Sequence, residues 1–171
     1  MKKLIAIILA LGMLFALSAC GNGELSTDDE VYQEDLIAIP LGDTGVKIVL
    51  PAEQGFEGYE SEINDFYGGN PGGTWRVIVN SELKSDYPDA TLADYASWCA
   101  EANEGEVGQD AEGNYYFAYS KDMGEGEVYK FYTAVREGVE EYYRVAFYTT
   151  EDFWDQYKDQ FAAWTATIEV E

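Results

Sequence analysis

The chain has 171 residues, with 10 Lys and Arg against 33 Asp and Glu, no His, and a formal net charge of −23. So acidic a chain offers no basic face to replace the counterions around phosphate, which argues against a nucleic-acid partner. The lack of His removes the usual neutral-pH acid–base residue, His-based triads and His-containing zinc sites, and two Cys allow one internal disulfide at most.

Met1-Lys2-Lys3 is a short basic start, and residues 4–19 are uncharged and nearly all apolar. A spanning helix needs about 20 such residues. A run this long behind a basic start reads instead as a secretory signal. It ends in Leu17-Ser18-Ala19-Cys20-Gly21, small residues before a Cys. This resembles the lipobox of bacterial lipoproteins. The resemblance implies cleavage before Cys20 and a diacylglycerol on its thiol, so Cys20 is the expected lipidation site. Two acyl chains meet the requirement for stable anchoring. The expected location is extracytoplasmic, on the bacterial membrane. An acylated Cys20 cannot pair with Cys99, and loss of Lys2 and Lys3 makes the mature chain more negative still.

Residues 20–35 are acidic and poor in apolar side chains, which predicts a flexible tether. Residues 36–171 suit one domain whose core needs no staples.

In that domain, residues 36–39 and 46–50 flank Gly42-Asp43-Thr44-Gly45, a hairpin pattern. Residues 55–59 read as a loop or irregular strand. Residues 62–67 and 75–81 flank Gly68-Gly69-Asn70-Pro71-Gly72-Gly73, a second hairpin with a mobile tip. That glycine run lacks the Lys-Ser/Thr of a phosphate-binding loop and opens no helix. Thr91-Leu92-Ala93-Asp94 resembles a capping box, and Leu92, Tyr95, Ala96 and Cys99 recur at helical spacing. Aromatic-rich strands are expected over 114–120, 127–135 and 139–148. Phe153, Tyr157, Phe161, Trp164 and Ile168 mark a final amphipathic helix from Glu151, and residues 167–170 allow a short closing strand.

The turn around Arg136-Glu137-Gly138 fixes which side chains share a face. A three-residue loop sets Val135 opposite Val139 and gathers Tyr129, Phe131 and Val135 with Val139, Tyr143, Val145 and Phe147. Apolar then meets apolar, and Gly138 falls at the left-handed position such a loop wants. Under this register the opposite face carries Lys130, Tyr132, Tyr142, Arg144 and Tyr148.

The fold class expected is α+β: an antiparallel β-sheet of about five to seven strands, with a mid-chain helix and a C-terminal amphipathic helix packed on it. The order of elements, with the Val46-Lys47-Ile48-Val49-Leu50-Pro51 strand, Gly55-Phe56 and a Tyr-rich hairpin before the last helix, resembles the PsbP-like sandwich found in bacterial lipoproteins of unknown role. The resemblance covers residues 36–171 and implies no activity. A cystatin-like roll and an up-and-down barrel with a terminal helix are the alternatives.

Three chemistries are worth weighing. Lys130, Tyr132, Tyr142, Arg144 and Tyr148 form the candidate ligand-binding face, a platform for a peptide, a glycan or an anionic group, with Arg144 as anchor. The plainer reading is that a helix covers them. Asp/Glu pairs or Cys99 could serve a secreted hydrolase, but acids are everywhere and no base near Cys99 in sequence would activate its thiol. A buried thiol is the plainer reading. Asp110, Glu112 and Asn114 alternate like a Ca²⁺ loop, yet Tyr115 stands where its Gly belongs, so a turn is expected. No catalytic residue, metal site or cofactor is expected. The sequence thus reads as a non-enzymatic, lipid-anchored envelope module, with membrane contact through Cys20 and an envelope protein, peptide or glycan as ligand.

Overall fold

The computed structural model describes residues 35–124 and 126–171. Cys20, the apolar run before it and the tether up to residue 34 lie outside the described residues.

The first hairpin is β1 (Leu36–Pro40) and β2 (Val46–Pro51), antiparallel with Ile37 opposite Leu50 and Ile39 opposite Ile48. β2 alternates strictly, with Val46, Ile48 and Leu50 buried, the signature of a strand with one dry face. Then come β3 (Glu57–Tyr59), β4 (Phe66–Gly69) and β5 (Arg76–Leu83). Helix α1 spans Leu92–Ala102, followed by β6 (Glu106–Gln109), β7 (Tyr115–Asp122), β8 (Val128–Glu137) and β9 (Glu141–Thr150). Helix α2 (Glu151–Ala166) and β10 (Glu169–Val170) end the chain. The fold is α+β. A seven-stranded antiparallel sheet runs in the order β3-β4-β5-β9-β8-β7-β6, and β1, β2 and β10 form a smaller sheet.

The predicted capping box is present. The Asp94 amide donates to Thr91 Oγ1 at 3.2 Å, and the Thr91 amide donates to Asp94 Oδ2 at 2.9 Å. These bonds satisfy amide donors that the first turn leaves orphaned. The Thr91 hydroxyl, which donates to Asp94 Oδ2 at 2.6 Å, and then the Thr91 amide hold the Asp94 carboxyl below its usual range.

Each face of the large sheet has its own core. On one face Val77, Val79, Val145 and Phe147 meet Tyr157, Phe161 and Trp164 of α2, with β2 closing the side. Trp75 lies at the centre of this core, fully buried, its ring 5.0 Å from Trp164 and 6.0 Å from Phe147. Burying one such side chain contributes roughly 1.5–3 kcal/mol. On the other face Phe117, Val135 and Tyr142 pack under Tyr95, Ala96, Cys99 and Ala100 of α1.

The β8–β9 register differs from the expected one. Glu137 pairs with Tyr142, Val135 with Arg144, Thr133 with Ala146 and Phe131 with Tyr148, so the turn lies at Val139-Glu140, beyond Gly138. Side chains opposite one another share a face. Val145 and Phe147 therefore sit with Ala134 and Tyr132, not with Val135 and Phe131. Gly138 is not in the left-handed region. A Cβ there would lie 2.7 Å from the Tyr143 ring and 3.1 Å from Val170 Cγ1, so close approach requires the glycine. The expected register rests on apolar matching across a single face. This hairpin is dry on both faces, and apolar matching across one of them could not choose the register.

Candidate functional site

The register divides the five candidate residues. Lys130 and Tyr132 face α2. Lys130 pairs with Glu151 at 3.0 Å, and Tyr132 stacks on Tyr116 with centroids 5.1 Å apart. Burial pushes the Tyr132 hydroxyl up to about 12. Tyr142, Arg144 and Tyr148 face the other way. Tyr142 is buried under α1, stacked on Tyr95 at 4.6 Å, its hydroxyl donating to the Ala90 carbonyl at 2.9 Å. Arg144 donates to Glu82 at 2.7 Å, and Glu82 also accepts the Tyr87 hydroxyl. The five do not form one platform. Helices cover two sets of them on opposite faces, and Tyr148 alone opens onto a cavity.

That cavity occupies the half of the sheet face that α1 leaves bare, and its volume is about 540 Å³. Tyr119, Phe131 and Tyr148 sit side by side on β7, β8 and β9. Their rings stack at 4.6 and 4.8 Å between centroids. On β5, Arg76 lies opposite Tyr148 and continues the row. Ile63 and Met123 stand at the rim, 87% and 60% exposed, in loops from opposite ends of the sheet. Lys121 and Glu127 supply the remaining charge at the walls. A second hollow of about 310 Å³ shares Gly73, Arg76, Tyr129 and Tyr148 as its wall. Such volumes fall at the small end of the range that holds small-molecule ligands.

Arg76 is the best-positioned cation in the domain. Its Nε donates to the Tyr67 hydroxyl at 3.2 Å, and its Nη1 donates to the carbonyls of Asn70 and Trp75 at 3.3 and 3.0 Å. The guanidinium also lies 5.4 Å above the Tyr59 ring. Nη2 has no acceptor among the described residues. Gly73, at φ +71°, leaves room for the guanidinium, since a Cβ there would sit 2.9 Å from Nη2. The Gly68–Gly73 segment therefore wraps a side chain instead of marking a bare hairpin tip. Asn70 fixes the wrap by accepting the Trp75 amide at 3.1 Å and donating to Thr74 Oγ1 at 2.9 Å. Burial first, and the adjacent Tyr67 hydroxyl second, push the Tyr148 hydroxyl well above its usual value. It stays neutral and can both donate and accept.

Sequence reasoning missed Arg76. The signal was available as glycines just ahead of an arginine at a strand start, a pattern that leaves room for a large planar group. Its meaning depends on the β5–β9 pairing, which no local pattern specifies.

The remaining candidates resolve simply. Cys99 is buried in the α1 core, and burial raises its thiol pKa, the reverse of what a nucleophile needs. The Asp110 carboxylate accepts from the Glu112 and Asn114 amides and from the Asn114 side chain, all at 2.9 Å, closing the β6–β7 turn. Cys20 lies outside the described residues.

No protein-family model and no curated protein sequence matches the chain. Solved structures do. The solution structure of cyanobacterial PsbP (CyanoP) from Synechocystis sp. PCC 6803 is similar over 91% of this chain and 99% of its own, at 16% identity and a TM-score of 0.53. A crystal structure from Bacteroides thetaiotaomicron VPI-5482 is similar over 74% of this chain at 12% identity and a TM-score of 0.51, and the match spans 45% of that longer chain. At these identities the likeness is one of fold, and the described domain has a PsbP-like fold.

Proposed function

We propose that this chain is an exported protein, lipid-anchored to the bacterial membrane at Cys20, whose domain over residues 36–171 is a non-enzymatic binding module for another envelope component. The anchoring part rests on the sequence: the basic start, the apolar run and Leu17-Ser18-Ala19-Cys20-Gly21. Residues 20–35 would then act as an acidic tether. Anionic bilayer surfaces would repel both tether and domain, which favours a domain that stands off the membrane.

The observation that carries the binding reading is the aromatic cavity with Arg76 in its wall. Three features of it favour binding over catalysis: neutral tyrosine hydroxyls, a guanidinium with an open nitrogen, and apolar rim residues. The alternative of a hydrolase using Cys99 is disfavoured by the buried, protonated thiol. The PsbP-like fold is compatible with an accessory role and implies no chemistry of its own.

The test is metabolic labelling with a fatty acid, followed by fractionation. Wild-type protein should be labelled and sediment with membranes. Cys20→Ala should lose the label and the membrane association, and a labelled, membrane-bound Cys20→Ala protein would show the anchoring reading to be wrong.

A further inference from the structure

The cations of this chain are few, and most of those among the described residues pair with a carboxylate. Lys47, Lys84, Lys130, Arg144 and Lys158 each pair with a carboxylate. Arg136 is buried and spends its donors on backbone carbonyls. Arg76 and Lys121 pair with no carboxylate among the described residues, and both line the same cavity. With 33 acids in the chain, carboxylates were abundant as partners. The surroundings of Arg76 supply acceptors to Nε and Nη1, and Nη2 has none among the described residues.

We propose that the cavity binds a small anionic amphiphile, a molecule with a flat apolar or aromatic body and one carboxylate. The carboxylate meets Arg76 Nη2 and the Tyr148 hydroxyl, and the body lies over Tyr119 and Phe131 towards Ile63 and Met123. This rests on the reading of the domain as a binding module. Each part answers to a chemical need. A guanidinium donates charge-assisted hydrogen bonds to a carboxylate, and they are stronger where water is thin. The stacked rings give a planar apolar body a large contact area. Lys121 adds a second positive charge without a fixed geometry. Glu127 at the wall disfavours a second negative charge on the ligand, so a monoanion suits the site better than a dianion.

The experiment uses 2-naphthoate and its neutral isostere 2-naphthamide as probes. Binding to the purified full chain in lipid nanodiscs is measured by titration calorimetry, with empty discs as the blank. The expected result is binding of 2-naphthoate at least tenfold tighter than 2-naphthamide. Arg76→Gln should remove that preference. Met123→Glu changes an exposed rim residue with no role in the core, so it keeps the test valid even if Arg76→Gln folds poorly. It should weaken 2-naphthoate by a larger factor than 2-naphthamide, because the lost apolar contact is common to both and the added charge repels only the anion. Failure of 2-naphthoate to bind overturns the proposal. So does equal binding of both, tighter binding of a cationic naphthylmethylamine, or a preference that survives both substitutions. Loss of lipid labelling at Cys20 bears only on the anchoring reading and leaves these affinities untouched, so the two can fail separately.

Discussion

Arg136 on β8 donates through Nη2 to the carbonyl oxygen of Thr165, 2.6 Å away in the last turn of α2. Its Nη1 donates to the carbonyls of Tyr115 and Val135 at 3.3 and 3.0 Å, so one guanidinium ties the terminal helix to two strands. The helix C-terminus favours a cation, and α2 has no other base in its last turn. Burial lowers the Arg136 pKa, yet a guanidinium remains charged in a folded protein. Arg136→Met removes these charged donors and strands buried carbonyls. It should cost about 2 kcal/mol of stability. Arg136→Lys should recover only a minor part, since an ammonium cannot span three carbonyls. Urea unfolding midpoints decide it, and an unchanged midpoint for Arg136→Met would show that the bridge contributes nothing.

Cys99 should behave as a core atom. It is 8% exposed and its thiol pKa is raised by burial. At pH 7–8 the native protein should react with an aromatic disulfide reagent far more slowly than the same chain in denaturant. Fast native labelling would mean an accessible thiolate and would revive the hydrolase reading.

Much of the fold is legible in the sequence, because each local signal agrees with the packing that follows. Thr91 and Asp94 cap α1 as their spacing implies. Tyr157, Phe161, Trp164 and Ile168 bury the stripe that their period lays down, while Phe153 at its start stays 40% exposed. The β1–β2 hairpin follows from alternation and turn residues, whereas the return of β10 onto β2 joins distant residues and does not. The site is a different matter. Tyr148 stands among the sequence candidates, but Arg76 and Tyr67 come to it from β5 and β4, through strand pairings that join distant residues. Gly138 shows why the turn of this hairpin is ambiguous in sequence. A glycine that makes room for a ring and a glycine that permits a left-handed turn look identical in a sequence.

Alkaline pH should unfold the domain before its tyrosines finish ionising. Burial pushes Tyr132 and Tyr143 up to about 12 from an ordinary 10, with the Tyr143 hydroxyl also donating to Glu141 at 2.8 Å. An acid whose folded pKa is raised binds its proton more tightly in the native state. The stability it contributes is complete below pH 10 and is lost as pH rises towards 12. The thermal midpoint should therefore fall across pH 10–12. Absorbance of ionised tyrosine near 295 nm should rise in two steps, the second coincident with loss of the native circular dichroism. A single step near pH 10 with the fold intact would contradict the burial of these hydroxyls.

Thr91→Ala tests the cap on α1. The substitution removes the Oγ1 acceptor for the Asp94 amide and should cost about 1 kcal/mol. Asp94 adds a pH signature. Its folded pKa is lowered by Thr91, so its contribution is present above the ordinary carboxylate range and fades as pH falls through the lowered value. The difference between wild type and Asp94→Asn in denaturant midpoint should shrink between pH 6 and pH 3. A constant difference would mean that the carboxylate charge plays no part in the cap.

Gly138 offers a test of the register itself. A Cβ at this position would meet the Tyr143 ring at 2.7 Å and Val170 Cγ1 at 3.1 Å, and Tyr143 is buried, with little room to retreat. Gly138→Ala should therefore cost roughly 1–3 kcal/mol through overpacking. If Gly138 were instead the left-handed residue of a three-residue loop, Asn would be tolerated there better than Ala, because its side chain suits that region. The pairing of Glu137 with Tyr142 puts Gly138 in ordinary backbone, where Asn adds more atoms to the same crowded space. Gly138→Asn should thus be less stable than Gly138→Ala. Adding Tyr143→Leu to Gly138→Ala, which withdraws the ring, should give less than the sum of the two single losses. Additive losses, or an Asn variant more stable than the Ala variant, would return the turn to Arg136-Glu137-Gly138 and put Tyr132 and Tyr148 back on one face.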